Sequence, residues 1–172
     1  MVADRTVLVD RGFVEFPTVP TSLSTQPHQF VYTIAAESPH SPAGCASVCK
    51  WNLSTAATKQ HKRNGDNRKD ATVPAGDTVV ERYTFGLYEI PGEPCFVPKV
   101  RESGKNNDGT NNVPEDSGYL VVLVANGIEQ TTDLVIFDVE GPGSLSNGPV
   151  SRARLPSYVP GAGLHGRFFP DE

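Results

Sequence analysis

The chain has 172 residues, 37% of them apolar, and a formal net charge of −5. That length allows one domain with a real hydrophobic core, and the acidic balance gives no electrostatic case for nucleic acid or an anionic membrane surface. No run of 18 or more apolar residues is present to serve as a transmembrane segment.

The opening "MVADRTVLVDRGF" carries Asp4, Arg5, Asp10 and Arg11, a pattern that excludes a signal-peptide apolar core. With Met1 as the true start, an intracellular protein is expected, and cytoplasm and plastid are not distinguished. His28 precedes a first predicted strand, "QFVYTIA" (29–35), which is apolar and β-branched. "ASVCKWNL" (46–53) alternates loosely. Cys45 and Cys49 lie four apart. Three cysteines, counting Cys95, and no secretory signal argue against a disulfide framework. A zinc site would need two further ligands, and His61 is the single nearby candidate, so ordinary thiols are expected. The formal sequon at Asn52 has no meaning without secretion.

Residues 54–77 form a polar stretch with a basic cluster at Lys59, Lys62, Arg63, Arg68 and Lys69. No aromatics interleave with these bases, so the stretch reads as a solvated loop rather than a phosphate-binding patch. "TVVERYTF" (78–85) is the next predicted strand. "PCFVPKV" (94–100) is short and bracketed by prolines, which suits an edge strand. Residues 101–118 are mostly Asn, Gly, Asp and Ser, and a second flexible loop is expected over 101–117.

The clearest unit is "GYLVVLVANGIEQTTDLVIFDVE" (118–140). Two apolar runs flank Asn126-Gly127, a dipeptide that favours positive φ, so an antiparallel hairpin of 118–125 with 132–139 is predicted. The near-continuous apolar run "GYLVVLV" predicts burial on both faces. "PVSRARLP" (149–156) sets Val150, Ala153 and Leu155 against Ser151, Arg152 and Arg154. No stretch carries a sustained 3.6-residue apolar stripe. The fold reads as all-β, in antiparallel meanders with long loops. A propeller blade takes roughly 40–45 residues, so about three or four blades at most would fit, and the long loops reduce that further, below the roughly four to eight of closed propellers.

Residues able to carry chemistry are sparse. His28, His40, His61 and His165 share no metal-binding spacing. His165 is flanked by Gly163 and Gly166, small neighbours that let the backbone turn tightly and present an imidazole. Glu93 sits between Gly and Pro beside an apolar strand. It reads either as a turn residue bonding backbone amides or as a carboxylate that holds the N–H of a metal-bound imidazole. No nucleophile elbow, phosphate loop or dinucleotide-binding glycine pattern occurs.

The collinear order "EFPTV…HQFVYT", "RYTFGLYEIPGEPCFVPK", "EDSGYLVVLV", "DLVIFDVE" and "VSRARLPSYVPGAGLHGRF" resembles the C-terminal part of the carotenoid cleavage oxygenases. That family includes carotenoid, apocarotenoid and lignostilbene dioxygenases and the retinoid isomerase of the eye. The resemblance covers about residues 13–169. It implies part of a seven-bladed β-propeller, its C-terminal blades, with Fe(II) on the axis held by four histidines and supported by three glutamates. It puts His165 on the last iron ligand and Glu93 on the last supporting glutamate. No further catalytic or cofactor-binding residue is implied. "VPGAGLHG" departs from the family pattern by one added residue and by Leu164 in place of Phe.

The expectation is that residues 1–172 are a C-terminal fragment of an Fe(II)-dependent dioxygenase, lacking three iron ligands and inactive when isolated. The implied reaction is O2-dependent cleavage of a conjugated carbon–carbon double bond in a carotenoid or other polyene. Association of a longer parent with a membrane surface is compatible with the resemblance. The alternative is a catalytically inactive β-scaffold or interaction fragment.

Overall fold

The computed structural model describes residues 13–36, 46–53, 79–100, 113–159, 166 and 168–169. The loop expected over 54–77, with its basic cluster, lies outside them, as do Cys45, His40, His61 and His165. The fold is all-β and built from two antiparallel sheets. The first is the meander β1 (Phe13–Thr18), β2 (Phe30–Ala36), β3 (Ala46–Asn52) and β4 (Val79–Thr84). A 3-10 turn at Thr21–Leu23 links β1 to β2. The second sheet contains β5 (Glu89–Pro91), β6 (Cys95–Pro98), β7 (Gly118–Asn126), β8 (Thr131–Asp138) and β9 (Ser151–Arg154). Both β5 and β6 pair with the same side of β7, so they act as one interrupted edge strand. Each sheet is thus a four-stranded up-and-down meander, the form of one propeller blade.

The hairpin 118–139 forms as predicted, with Asn126 opposite Thr131. Its turn works differently from the expectation. Gln130, not Gly127, takes the left-handed conformation, with φ 50°. Asn126 acts through its side chain, whose Oδ1 accepts the amides of Ile128 (3.1 Å) and Glu129 (3.0 Å). Such side-chain mimicry of a backbone turn is a property of Asn.

The main core lies between the two sheets. Tyr32, Ile34, Val48 and Phe85 meet Phe96, Leu120, Val122, Val124, Val135 and Phe137 there. Tyr32 stacks on Phe96 at 5.8 Å. Along β7 fully buried and half-buried residues alternate, so the second face, with Val121 and Leu123, is partly covered rather than sealed. The outer face of the first sheet carries a smaller cluster of Ala35, Cys49 and Trp51. Trp51 Nε1 donates to Thr33 Oγ1 there at 2.8 Å. Cys49 is a buried free thiol, and burial pushes its pKa up against the opposing effect of Arg82.

One cation is enclosed in the main core. Lys50 is 1% exposed. Its Nζ donates to Asp116 Oδ2 at 2.8 Å, to the Val139 carbonyl at 2.9 Å and to the Gly141 carbonyl at 3.4 Å. Glu81 Oε1 stands 3.4 Å away, and the Phe30 ring lies 4.6 Å beneath it. Asp116 belongs to the stretch read as a mobile loop. Residues 101–112 fall outside the description, but 113–117 differ from the expectation: Asp116 and Ser117 are buried. Each residue of Glu115-Asp116-Ser117-Gly118 has a mechanical task. The Glu115 carboxylate accepts the amides of Gln29 and Phe30. Asp116 takes Lys50 and the Gly141 amide. The Ser117 carbonyl accepts the Lys99 amide. At Gly118 a Cβ would stand 2.3 Å from Phe96 Cζ, so no larger residue fits without moving the ring.

The exposed edge strand β9 is tied down by charge. Arg152 and Arg154 both reach the buried Asp133, Arg152 Nε at 2.6 Å, and Arg152 also pairs with Glu89. Burial by itself pushes the Asp133 carboxyl up, but Arg154 and Arg152 outweigh it and hold it below the usual carboxylate range.

Two outcomes follow from these charges. Lys50→Met leaves Asp116 and Glu81 buried without their cation, so unfolding free energy in urea falls by about 3–5 kcal/mol. Asp133 binds its proton more weakly folded than unfolded, so its contribution is complete above the unfolded value of about 3.9 and is lost as pH falls through the depressed folded value. Urea midpoints measured from pH 6 to pH 3 therefore drop below about pH 4, and Asp133→Asn flattens that drop.

Candidate functional site

Glu93 stands at a break in an edge strand. Pro91 lies opposite Val124 and Cys95 opposite Val121. Four steps along the edge (95 − 91) thus match three along β7 (124 − 121), which defines a bulge of one residue. The Gly92 amide still donates to the Leu123 carbonyl at 2.9 Å, holding the near side of the bulge. On the far side, Thr18 Oγ1 of the first sheet donates to the Pro94 carbonyl at 2.8 Å. Gly-Glu-Pro is the composition such a break calls for, since proline surrenders a ladder donor and glycine tolerates the bend. Bulges re-aim side chains at sheet edges and next to active sites.

The C-terminal segment is led back to this bulge. The Leu155 amide donates to the Thr132 carbonyl at 2.8 Å. Thr132 Oγ1 accepts the Val159 amide at 2.9 Å and donates to the Val159 carbonyl at 3.2 Å. Beyond that, the Gly166 amide donates to Glu93 Oε2 at 3.0 Å, across 73 positions of sequence. Two residues further along both segments, the Phe168 backbone hydrogen-bonds the Cys95 thiol, whose pKa burial raises. His165 lies outside the described residues, but its neighbour Gly166 is bound to Glu93. Glu93 thus binds a backbone amide, and the amide comes from the far end of the chain.

The first sheet has a matching feature that sequence reading missed. In β1, Glu15 lies opposite Ile34 and Thr18 opposite Tyr32, three steps against two, so one residue is bulged there too. Phe16, before Pro17, takes φ 55°. The first strand of each sheet therefore carries a glutamate within two residues of a proline at a bulge, and the Thr18–Pro94 bond joins the two breaks. The readable signal was the pair of Glu/Pro steps, "EFP" and "GEP", at the start of each meander.

Among the described residues, His28 does not join the site. His28 Nδ1 meets the Gln26 carbonyl at 3.0 Å within its own turn. Among the described residues, no three His, Cys, Asp or Glu side chains converge as a metal-binding group. No described helix is long and apolar enough to cross a membrane.

The family model described as retinal pigment epithelial membrane protein, RPE65, matches residues 2–170. The chain belongs to this family, the carotenoid cleavage oxygenases. Lignostilbene-α,β-dioxygenase isozyme III of Sphingomonas paucimobilis is 37% identical over 83 residues, 48% of this chain and 14% of that protein. Isoeugenol monooxygenase of Pseudomonas putida is 27% identical over 157 residues, 90% of this chain and 26% of that protein. Among solved structures, a cobalt-substituted Synechocystis apocarotenoid oxygenase superposes with a TM-score of 0.59 at 23% identity, covering 92% of this chain and 25% of that one. A chimera of that oxygenase with RPE65 gives 0.61 at 21% identity, covering 93% and 26%. The chain thus spans about a quarter or less of the length of these relatives. The likeness bears out the family reading and the all-β fold. The structure contains two blade-like sheets, and a closed propeller is not among its features.

Glu93→Ala removes the acceptor of the Gly166 amide. A charge-assisted bond of this kind contributes about 1.5–3 kcal/mol when shielded, and this one is exposed. Hydrogen exchange at Gly166 is therefore expected to accelerate about tenfold while amides in β7 and β8 keep their protection.

Proposed function

We propose that the chain forms C-terminal blades of an Fe(II)-dependent oxygenase that cleaves a conjugated carbon–carbon double bond with O2. The reaction breaks one C=C bond and places one oxygen atom on each carbon, giving two carbonyl products. The observation that supports this reading is the Gly166–Glu93 bond, which holds the residue after His165 at the bulged edge of the second sheet. The family relationship and the relatives' names supply the reaction type. The cobalt-substituted relative supports a transition-metal centre in the parent fold.

What these residues offer fits one ligand and its support, not a whole metal site. His165 contributes one neutral imidazole. Glu93 holds the Gly166 amide next to it, and a carboxylate at that place would serve to fix the backbone that presents a metal-bound imidazole. Glu15 sets a second carboxylate at the matching bulge of the first sheet. When bound, iron supplies O2 activation. The substrate class is a carotenoid, apocarotenoid or stilbene-like polyene, with binding at a membrane surface a property of the longer parent.

A second reading, an inactive β-scaffold, draws on the lack of a converging ligand group among the described residues. Both readings agree on the isolated chain, because one imidazole binds iron weakly. After anaerobic Fe(II) loading and removal of free metal, the chain is expected to retain far less than one iron per molecule and to produce no apocarotenal. The readings part when the remaining blades of a family oxygenase are supplied in trans. An active enzyme part then gains near-stoichiometric iron, lost in His165→Ala, whereas a scaffold gains none.

A further inference from the structure

Among the described residues, three polar atoms in the core between the sheets have no hydrogen-bond partner: Tyr32 Oη, Glu81 Oε1 and Ser117 Oγ. Their residues are 0%, 4% and 4% exposed. Buried polar groups without partners are rare in native proteins, and each calls for a cause.

The three residues are linked through shared neighbours. Tyr32 lies opposite Lys50, and Lys50 opposite Glu81, in one row across β2, β3 and β4. Ser117 is brought to that row from both sides. Asp116 before it binds Lys50 Nζ. Gly118 after it packs on Phe96, the ring that stacks on Tyr32. Two of the atoms belong to the first sheet and one to the turn entering β7, so whatever joins them also joins the sheets.

We propose that an ordered water molecule binds here, accepting the Tyr32 hydroxyl proton and donating to Glu81 Oε1 and Ser117 Oγ. Three hydrogen bonds are the usual complement of a buried water. The chemistry favours water over a metal cation. The Lys50 ammonium stands 3.4 Å from Glu81 Oε1, so a cation would meet a like charge at contact range. A neutral molecule with two donors and two acceptor sites meets none. The site completes the polar network of Lys50 and does not depend on the oxygenase reading.

The sign of one substitution decides the matter. Removing a buried hydroxyl that has no partner stabilises a protein, whereas removing one that binds a fixed water destabilises it. Tyr32→Phe in the full chain is expected to lower Tm by about 2–4 °C. Ser117→Ala lowers it too, and the double variant loses less than the sum, because both hydroxyls serve one molecule. A raised or unchanged Tm for Tyr32→Phe, or strictly additive losses, overturns the proposal. If the variants do not fold, a high-resolution crystal structure of the unaltered chain decides. Density within about 3 Å of all three atoms supports the site, and its absence overturns it.

Discussion

The structure depends on the ammonium group of Lys50. It projects from β3 of the first sheet and is neutralised by Asp116, which precedes β7 of the second. The carbonyls of Val139 and Gly141 take its other donors. Enclosing such an ion costs several kcal/mol of lost hydration, and the cost is offset only when every donor finds a partner in good geometry. The sheets meet that demand in one relative placement. Apolar side chains such as Val48 and Val122 attract without direction. The ion pair adds direction and selects the docking of one sheet on the other.

The same placement builds the candidate site. With the sheets docked, the bulge of β1 comes beside the bulge between β5 and β6, and Thr18 can reach the Pro94 carbonyl. That contact spans 76 positions and holds Glu93 at the edge from which it captures Gly166. Packing, strand defects and the approach of the C-terminal segment are consequences of one geometry. The tasks of Glu115, Asp116, Ser117 and Gly118 in that docking give "EDSG" a mechanical meaning apart from any chemistry.

Both sheets also carry apolar residues on their second faces. Trp51 and Cys49 lie on the outer face of the first sheet, and Val121, Leu123 and Ile136 on that of the second. A sheet with two apolar faces is suited to being covered on both sides, as blades are in the middle of a stack. This agrees with the family membership and with the quarter of a relative's length that the chain covers.

By itself the sequence determined the strands other than β1 and β5, the all-β class and the 118–139 hairpin, because alternation and apolar runs are local properties. Glu93 was also legible, since Gly and Pro on either side mark a break in pairing. Lys50 was not. Within "ASVCKWNL" it is one polar residue in a loosely alternating run, and its partner Asp116 hides in a polar run, 66 positions away. Nor did "NG" disclose that Asn126 would use its side chain and that Gln130 would take the positive φ. The tertiary structure decided these points. Local pattern specifies which face of a strand avoids water, whereas the partner of a buried charge, or the amide that reaches a bulged glutamate, is chosen only when distant segments pack.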